Sequence, residues 1–240
     1  MSEPMSERSA EAERFVSPAH YVDSDSREVQ AFVMRALRNM APDASKKDMA
    51  VRLFQAVRDD LRYDPYTFSL TAEDYRASVI ADMDSAFCVP KAILLAACLR
   101  AVGIPAALGF ADVRNHLNTP KLAELMGTDL FIYHGYVQLW LGASSFKVTP
   151  AFNMELCQRF GVKPLEFDGE HDALFHEFDD TNRRHMEYVN DRGLFVDAPM
   201  QEFLTAFGET YPKLKEFNRR RISGEFFDAG FASPEGSPAK

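Results

Sequence analysis

From Ser45 onward, apolar positions recur at helical spacing: Ala50, Leu53, Phe54, Val57 and Leu61 form one stripe. Ahead of it, Ser45 and Asp48 stand at capping-box spacing, although that box prefers Glu or Gln at the second position. Tyr63-Asp64-Pro65 predicts the stop, because the residue before Pro disfavours continued helix. An earlier helix is predicted after the N-cap candidates Asp23-Ser24-Asp25, running to about Asn39. A third begins near Cys88 and runs to Val102, where Gly103 stops it and Pro105 reinforces the stop. Its stretch Ala92 to Leu99 is apolar nearly all round, the pattern of a helix buried on most sides.

The pattern then changes. Ala106 to Val113 reads as a strand, and Leu130 to Leu141, rich in aromatic and β-branched residues, as a second. Gly142 to Ser145 reads as a turn and Phe146 to Thr149 as a third strand, giving a hairpin. Helices first and an antiparallel sheet after them predict an α+β fold, with the Cys88 helix packed on the sheet. Further on, Met154 to Phe160, Met200 to Phe207 and Leu214 to Ile222 look helical. Residues 1–22 and 229–240, both polar, are expected to be a mobile segment and a disordered tail. With no internal repeat or long linker between them, 23–228 is expected to be a single domain.

At 240 residues the chain can build a substantial core, to which 20 Phe and 8 Tyr bring aromatic bulk. Its net charge of −9 argues against general nucleic-acid binding, which needs Lys and Arg for the phosphates. Met1 to Arg14 carry no apolar core of a secretory signal, and Ala92 to Leu99 is too short to span a bilayer, so no membrane partner is expected. Three Cys at irregular spacing do not make a disulfide framework, and a reduced, cytoplasmic protein is expected.

The three thiols are not equivalent. Cys98 lies mid-helix among Leu and Ala, as a small core hydrophobe would, and Cys157 has no chemistry-bearing neighbours. Cys88 precedes Pro90 by two residues, and Pro is comfortable only in the first turn, so Cys88 sits at the helix entrance. There the unpaired N–H groups and the positive dipole end are expected to favour thiolate, and could also stabilise an oxyanion. A nucleophilic thiol needs a base. Of the six His, His134 alone lies in a strong strand pattern, sharing a face with Tyr136, Gln138 and Trp140, and that strand is expected to face the buried helix. Spacing alone fits a satisfied core histidine as well as a base.

Phe87-Cys88-Val89-Pro90-Lys91-Ala92, then Leu94-Leu95 and Leu99-Arg100-Ala101-Val102-Gly103-Ile104-Pro105-Ala106, resemble the nucleophile helix of the transglutaminase-like superfamily. His134 with Val137 and Leu139 resembles its His strand, and Phe146 to Pro150 its next strand; the likeness covers about residues 50 to 153. The resemblance implies a papain-like α+β core with a Cys-His-Asp type of site, Cys88 being the nucleophile and His134 the base. Two positions depart from the family pattern. Lys147 stands where the family has its Asp, and a Lys cannot accept a hydrogen bond from the imidazole. Asn153 is the substitute acceptor expected, as in Cys-His-Asn sites, with Glu155 and Asp112 as further options. Upstream of Cys88 the family's Gly is replaced by the run Asp84-Ser85-Ala86-Phe87.

The implied activity is cysteine-dependent acyl transfer or amide hydrolysis through a thioester, on a peptide or protein amide substrate and without a cofactor. The alternative is a catalytically impaired member of the same fold that binds peptides or proteins. A metal site is a further class: His171, His176 and His185 lie in an acidic segment, but no HExxH is present, and a solvated loop is the plainer expectation.

Overall fold

The computed structural model describes residues 12–115, 119–174 and 186–223. Helices at Arg27–Leu37, Lys46–Asp60 and Ala77–Ile80 precede the Cys88 helix. Helix α1 (Arg27–Leu37) starts at Ser26, whose side chain accepts from the Val29 N–H. Helix α2 (Lys46–Asp60) opens on a complete capping box between Ser45 and Asp48, so Asp serves where Glu or Gln is usual. A short strand, β1 (Arg62–Tyr63), a 3-10 turn (Ala72–Tyr75), a one-turn helix, α3 (Ala77–Ile80), and strand β2 (Ser85–Ala86) follow. β1 and β2 pair in parallel and bring the chain to Cys88.

Helix α4 (Cys88–Ala101) is buried from its first residue through Arg100. It packs against α1, α2 and α3 on one side and against strands on the other, which is why it can be apolar all round. Its two charged residues are satisfied by carbonyls. Lys91 donates to Arg58 O and Leu61 O, tying α4 to the end of α2. Arg100 donates to Ala106 O, Ser17 O and Val196 O, drawing three distant segments together.

The strands are β3 (Ala106–Asn115), β4 (Leu130–Leu141), β5 (Ser144–Val148) and β6 (Met186–Phe195), in the antiparallel order β5-β4-β3-β6. The fold is α+β, as the order of elements predicts. β6 lies in a polar stretch without clean alternation (Met-Glu-Tyr-Val-Asn-Asp-Arg-Gly-Leu-Phe), so its sequence gives no strand signal; pairing with β3 makes it a strand. Helices α5 (Pro120–Met126), α6 (Met154–Phe160), α7 (Met200–Thr210) and α8 (Pro212–Ser223) complete the described chain.

Residues 12–22 depart from the expectation of a mobile segment. Phe15 is buried and stacks on Trp140 with ring centroids 5.2 Å apart, and Val22 is fully buried. Apolar positions too sparse to show a period still find a groove. Residues 1–11 and 229–240 lie outside the described residues. No helix among the described residues is long and apolar enough to cross a membrane.

One irregularity breaks the β3–β4 ladder. Val113 pairs with Phe131 and Ala111 with His134, so Asp112 alone faces both Ile132 and Tyr133. This is a β-bulge on β4 immediately before His134. Tyr133 has a φ of 54°, in the left-handed region, the only non-glycine residue there among the described residues.

Candidate active site

Cys88 is the first residue of α4, after the extended N-cap Phe87, which supplies no side-chain cap. The α4 entrance lies against β4 at Gly135, where an added Cβ would come within 3.1 Å of the Cys88 carbonyl oxygen and the Val89 Cα. A glycine is therefore what lets helix and strand meet so closely. The Cys88 sulfur faces three backbone N–H groups: that of Gly135 from the strand, and those of Val89 and Cys88 itself.

Cys88 and His134 line the same narrow cavity, of about 30 Å³, and both are buried. Such a volume holds about one or two waters. Its walls are largely apolar: Tyr63, Phe87, Leu122 from α5, Phe207 from α7 and Leu214 from α8. Tyr211, between those two helices, joins the cover. Its hydroxyl accepts from the Ile132 N–H at 2.7 Å and donates to Leu130 O at 2.7 Å, fastening the C-terminal helices to β4.

Burial reverses one expectation. Desolvation pushes the Cys88 thiol up to about 11, although the facing N–H groups of Gly135, Val89 and Cys88 pull it down. In this closed form the helix entrance does not by itself make a thiolate, because burial in an apolar cavity outweighs it. Cys98 is pushed still higher by complete burial, and Cys157 is buried with its sulfur 3.8 Å from Phe152 O, in keeping with packing roles. None of the three cysteines is in a disulfide.

The aromatic face of β4, expected to meet the Cys88 helix, does not. Along β4, Gly135, Val137 and Leu139 pack toward α4 and the main core, whereas Tyr136 and Trp140 sit in separate clusters with β3 residues. The aromatic residues that alternate with His134 thus lie away from the Cys88 helix, while His134 itself lines the cavity with Cys88.

The expected third member is also displaced. Asn153 is buried at the start of α6, but its Oδ1 accepts from the Tyr63 N–H at 3.1 Å. It lines a separate, open acidic cleft with Asp59, Asp60, Asp84 and Glu155. Lys147 pairs opposite Gln138, with its Nζ 3.8 Å from Asp191 Oδ2 and 5.2 Å from the Tyr136 ring centroid, on the Tyr136 side of the hairpin. Asp112 reaches β4 instead, accepting from the Tyr133 N–H at 3.1 Å.

Sequence reasoning missed Gly135 and Tyr211. A glycine inside a strand run is the signal for the first, marking close backbone approach; Tyr211 has no local signal. Of the metal candidates, His171 pairs with Asp168 at 2.7 Å on an exposed loop, while His176 and His185 lie outside the described residues. Among the described residues no group of three or more His, Cys, Asp or Glu converges as a metal site.

Residues 34–150 match the model of the transglutaminase-like superfamily, a segment that contains α4, β3, β4 and β5. A solved structure described as a "Putative Cysteine Protease" from Cytophaga hutchinsonii is similar at 13 % identity and a TM-score of 0.44, over 81 % of this chain. This chain spans 57 % of that one. No curated protein matches the sequence.

Proposed function

Starting from a transglutaminase-like superfamily core at residues 34–150, we propose that Cys88 and His134 are the nucleophile and base of a cysteine-dependent acyl transfer or amide hydrolysis. The observation that carries this reading is their shared cavity, with the Gly135 N–H facing the sulfur from the residue next to His134. His134 takes the thiol proton as Sγ attacks an amide carbonyl of a peptide or protein. The N–H groups at the helix entrance stabilise the oxyanion. His134 then returns the proton to the nitrogen as the C–N bond breaks, leaving a thioester. Water resolves it to a carboxylic acid, or a second amine resolves it to a new amide. Because the resting thiol is pushed up to about 11, base assistance during attack does more here than a preformed thiolate. Three cysteines outside any disulfide are in keeping with a reducing, cytoplasmic setting.

The second reading is a catalytically impaired binding module. It is favoured by Lys147 at the family's Asp position and by Asn153, whose Oδ1 is taken by the Tyr63 amide. One experiment separates the two: labelling of the full chain with an electrophilic activity-based cysteine probe at neutral pH. Labelling is expected for the wild type and for Cys98→Ala, and its loss for Cys88→Ala. Wild-type labelling no faster than that of Cys88→Ala would sink the enzymatic reading.

A further inference from the structure

The bulge before His134 leaves two amides of β4 without ladder partners, because Asp112 of β3 faces both Ile132 and Tyr133. Both are captured by side chains: Ile132 N–H by the Tyr211 hydroxyl and Tyr133 N–H by the Asp112 carboxylate. The Asp112 carboxylate is in turn held by Arg192 of β6. Nε donates to Oδ1 at 2.7 Å and an Nη donates to Oδ2 at 3.0 Å, a bidentate fork. The same guanidinium lies 4.1 Å from the centroid of the Tyr133 ring, so it grips both the carboxylate and the residue whose amide that carboxylate binds. Phe110 and Phe203 meet the Tyr133 ring edge-on at 5.7 and 5.5 Å, closing its other sides.

A left-handed tyrosine persists only where its surroundings over-determine it. Here they do, on three sides, and the next residue is His134. A bulge re-aims the chain that follows it. We infer that Asp112 and Arg192 are positioning residues: they lock the Tyr133 bulge and thereby fix His134 relative to Cys88. The inference rests on the proposal that His134 is the base. It also gives Asp112 a part in the site through the backbone rather than through the imidazole, and it gives a site role to β6, a strand outside the family-matched segment.

The test is the second-order rate of Cys88 alkylation by iodoacetamide at pH 7 in the full chain, read by mass spectrometry of the Cys88 peptide. Asp112→Ala and Arg192→Met are each compared in the wild type and on a His134→Ala background. His134→Ala should slow alkylation at least about a hundredfold, the low end of what a positioned base contributes. Asp112→Ala should slow it by about tenfold, since small misplacements of a reacting group cost that much or more. Arg192→Met, at a more exposed side chain, should slow it less, and covers the case in which Asp112→Ala does not fold. On the His134→Ala background both should have no further effect, because they act through the imidazole. Equal slowing in the presence and absence of His134, or none in its presence, overturns the positioning role. Unchanged alkylation in His134→Ala overturns the base assignment itself.

Discussion

Gly135 and Cys88 touch backbone to backbone: a methyl group on Gly135 would sit 3.1 Å from the Cys88 carbonyl oxygen and 3.1 Å from the Ala92 Cβ. Neither neighbour is a flexible side-chain end, so Gly135→Ala must push the entrance of α4 away from β4. We expect a loss of about 1–3 kcal/mol in stability by urea unfolding, the range for overpacking, and a loss of Cys88 reactivity as the Gly135 N–H withdraws. Gly109→Ala is the control. Its Cβ would land inside the Tyr136 ring, 2.1 Å from Cζ, on the side of the sheet away from α4. It should destabilise the protein while sparing Cys88 reactivity per folded molecule. Equal reactivity in the two variants would show that the contact at Gly135 is packing alone.

The pH profile of Cys88 follows from its burial. A thiol pushed up to about 11 is roughly one part in ten thousand thiolate at pH 7. Alkylation through free thiolate should therefore climb steeply from pH 8 toward 11. With His134 as base, the wild type should hold a rate between pH 6 and 8 above that line, and His134→Ala should fall onto it. Iodoacetamide kinetics across this range check the point. A wild-type profile that follows the steep line throughout would mean that His134 gives no assistance.

Lys91 gives a stability prediction with a definite sign. Burial in α4 pushes its ammonium down to about 7 from an ordinary 10.5, although Asp59 favours the charged form. Between those values the unfolded chain holds a proton that the folded chain has released. Stability attributable to Lys91 must then rise as pH increases through 7 and beyond. Lys91→Met removes this titration and leaves the Arg58 and Leu61 carbonyls without their donor. The difference in unfolding free energy between wild type and Lys91→Met, from urea curves at pH 6 to 8.5, should move in favour of the wild type as pH rises. A difference independent of pH would mean that Lys91 stays charged in the core.

The Cys88 helix was legible because several signals agree at it. Cys88, Pro90, an apolar run and Gly103 together fix its start, burial and end, and the observed helix closes within a residue of the predicted Val102. β4 was equally legible, and its observed span is the predicted one. What stayed hidden is carried by distant pairings. The bulge at Tyr133 depends on Asp112, Arg192 and Tyr211, each far along the chain, and an alternating pattern cannot register an extra residue. Tyr133 is a tyrosine where a glycine would have advertised a left-handed position. The acceptor expected at Asn153 was drawn from residue chemistry alone, and the Tyr63 amide claims that oxygen. The cover over Cys88 comes partly from α7 and α8, beyond the matched segment at 34–150, so the Cys88 helix and its neighbouring strands alone suggest an open site where the full chain closes one.

That cover predicts a size filter. Leu214 is buried and, with Phe207 and Tyr211, roofs a cavity too small for an acyl substrate. Any substrate must displace this roof, and its largely apolar lining makes the displacement easier for a hydrophobic one. Leu214→Ala removes roof volume without touching Cys88's backbone partners. It should cost about 2–5 kcal/mol in stability, as buried Leu truncations do. It should also raise the rate at which a bulky hydrophobic chloromethyl ketone labels Cys88, relative to iodoacetamide, which is small enough to be less obstructed. The ratio of the two rates is the measurement, because general loosening of the fold raises both together. A ratio unchanged from wild type would mean that the roof at Leu214 does not control entry.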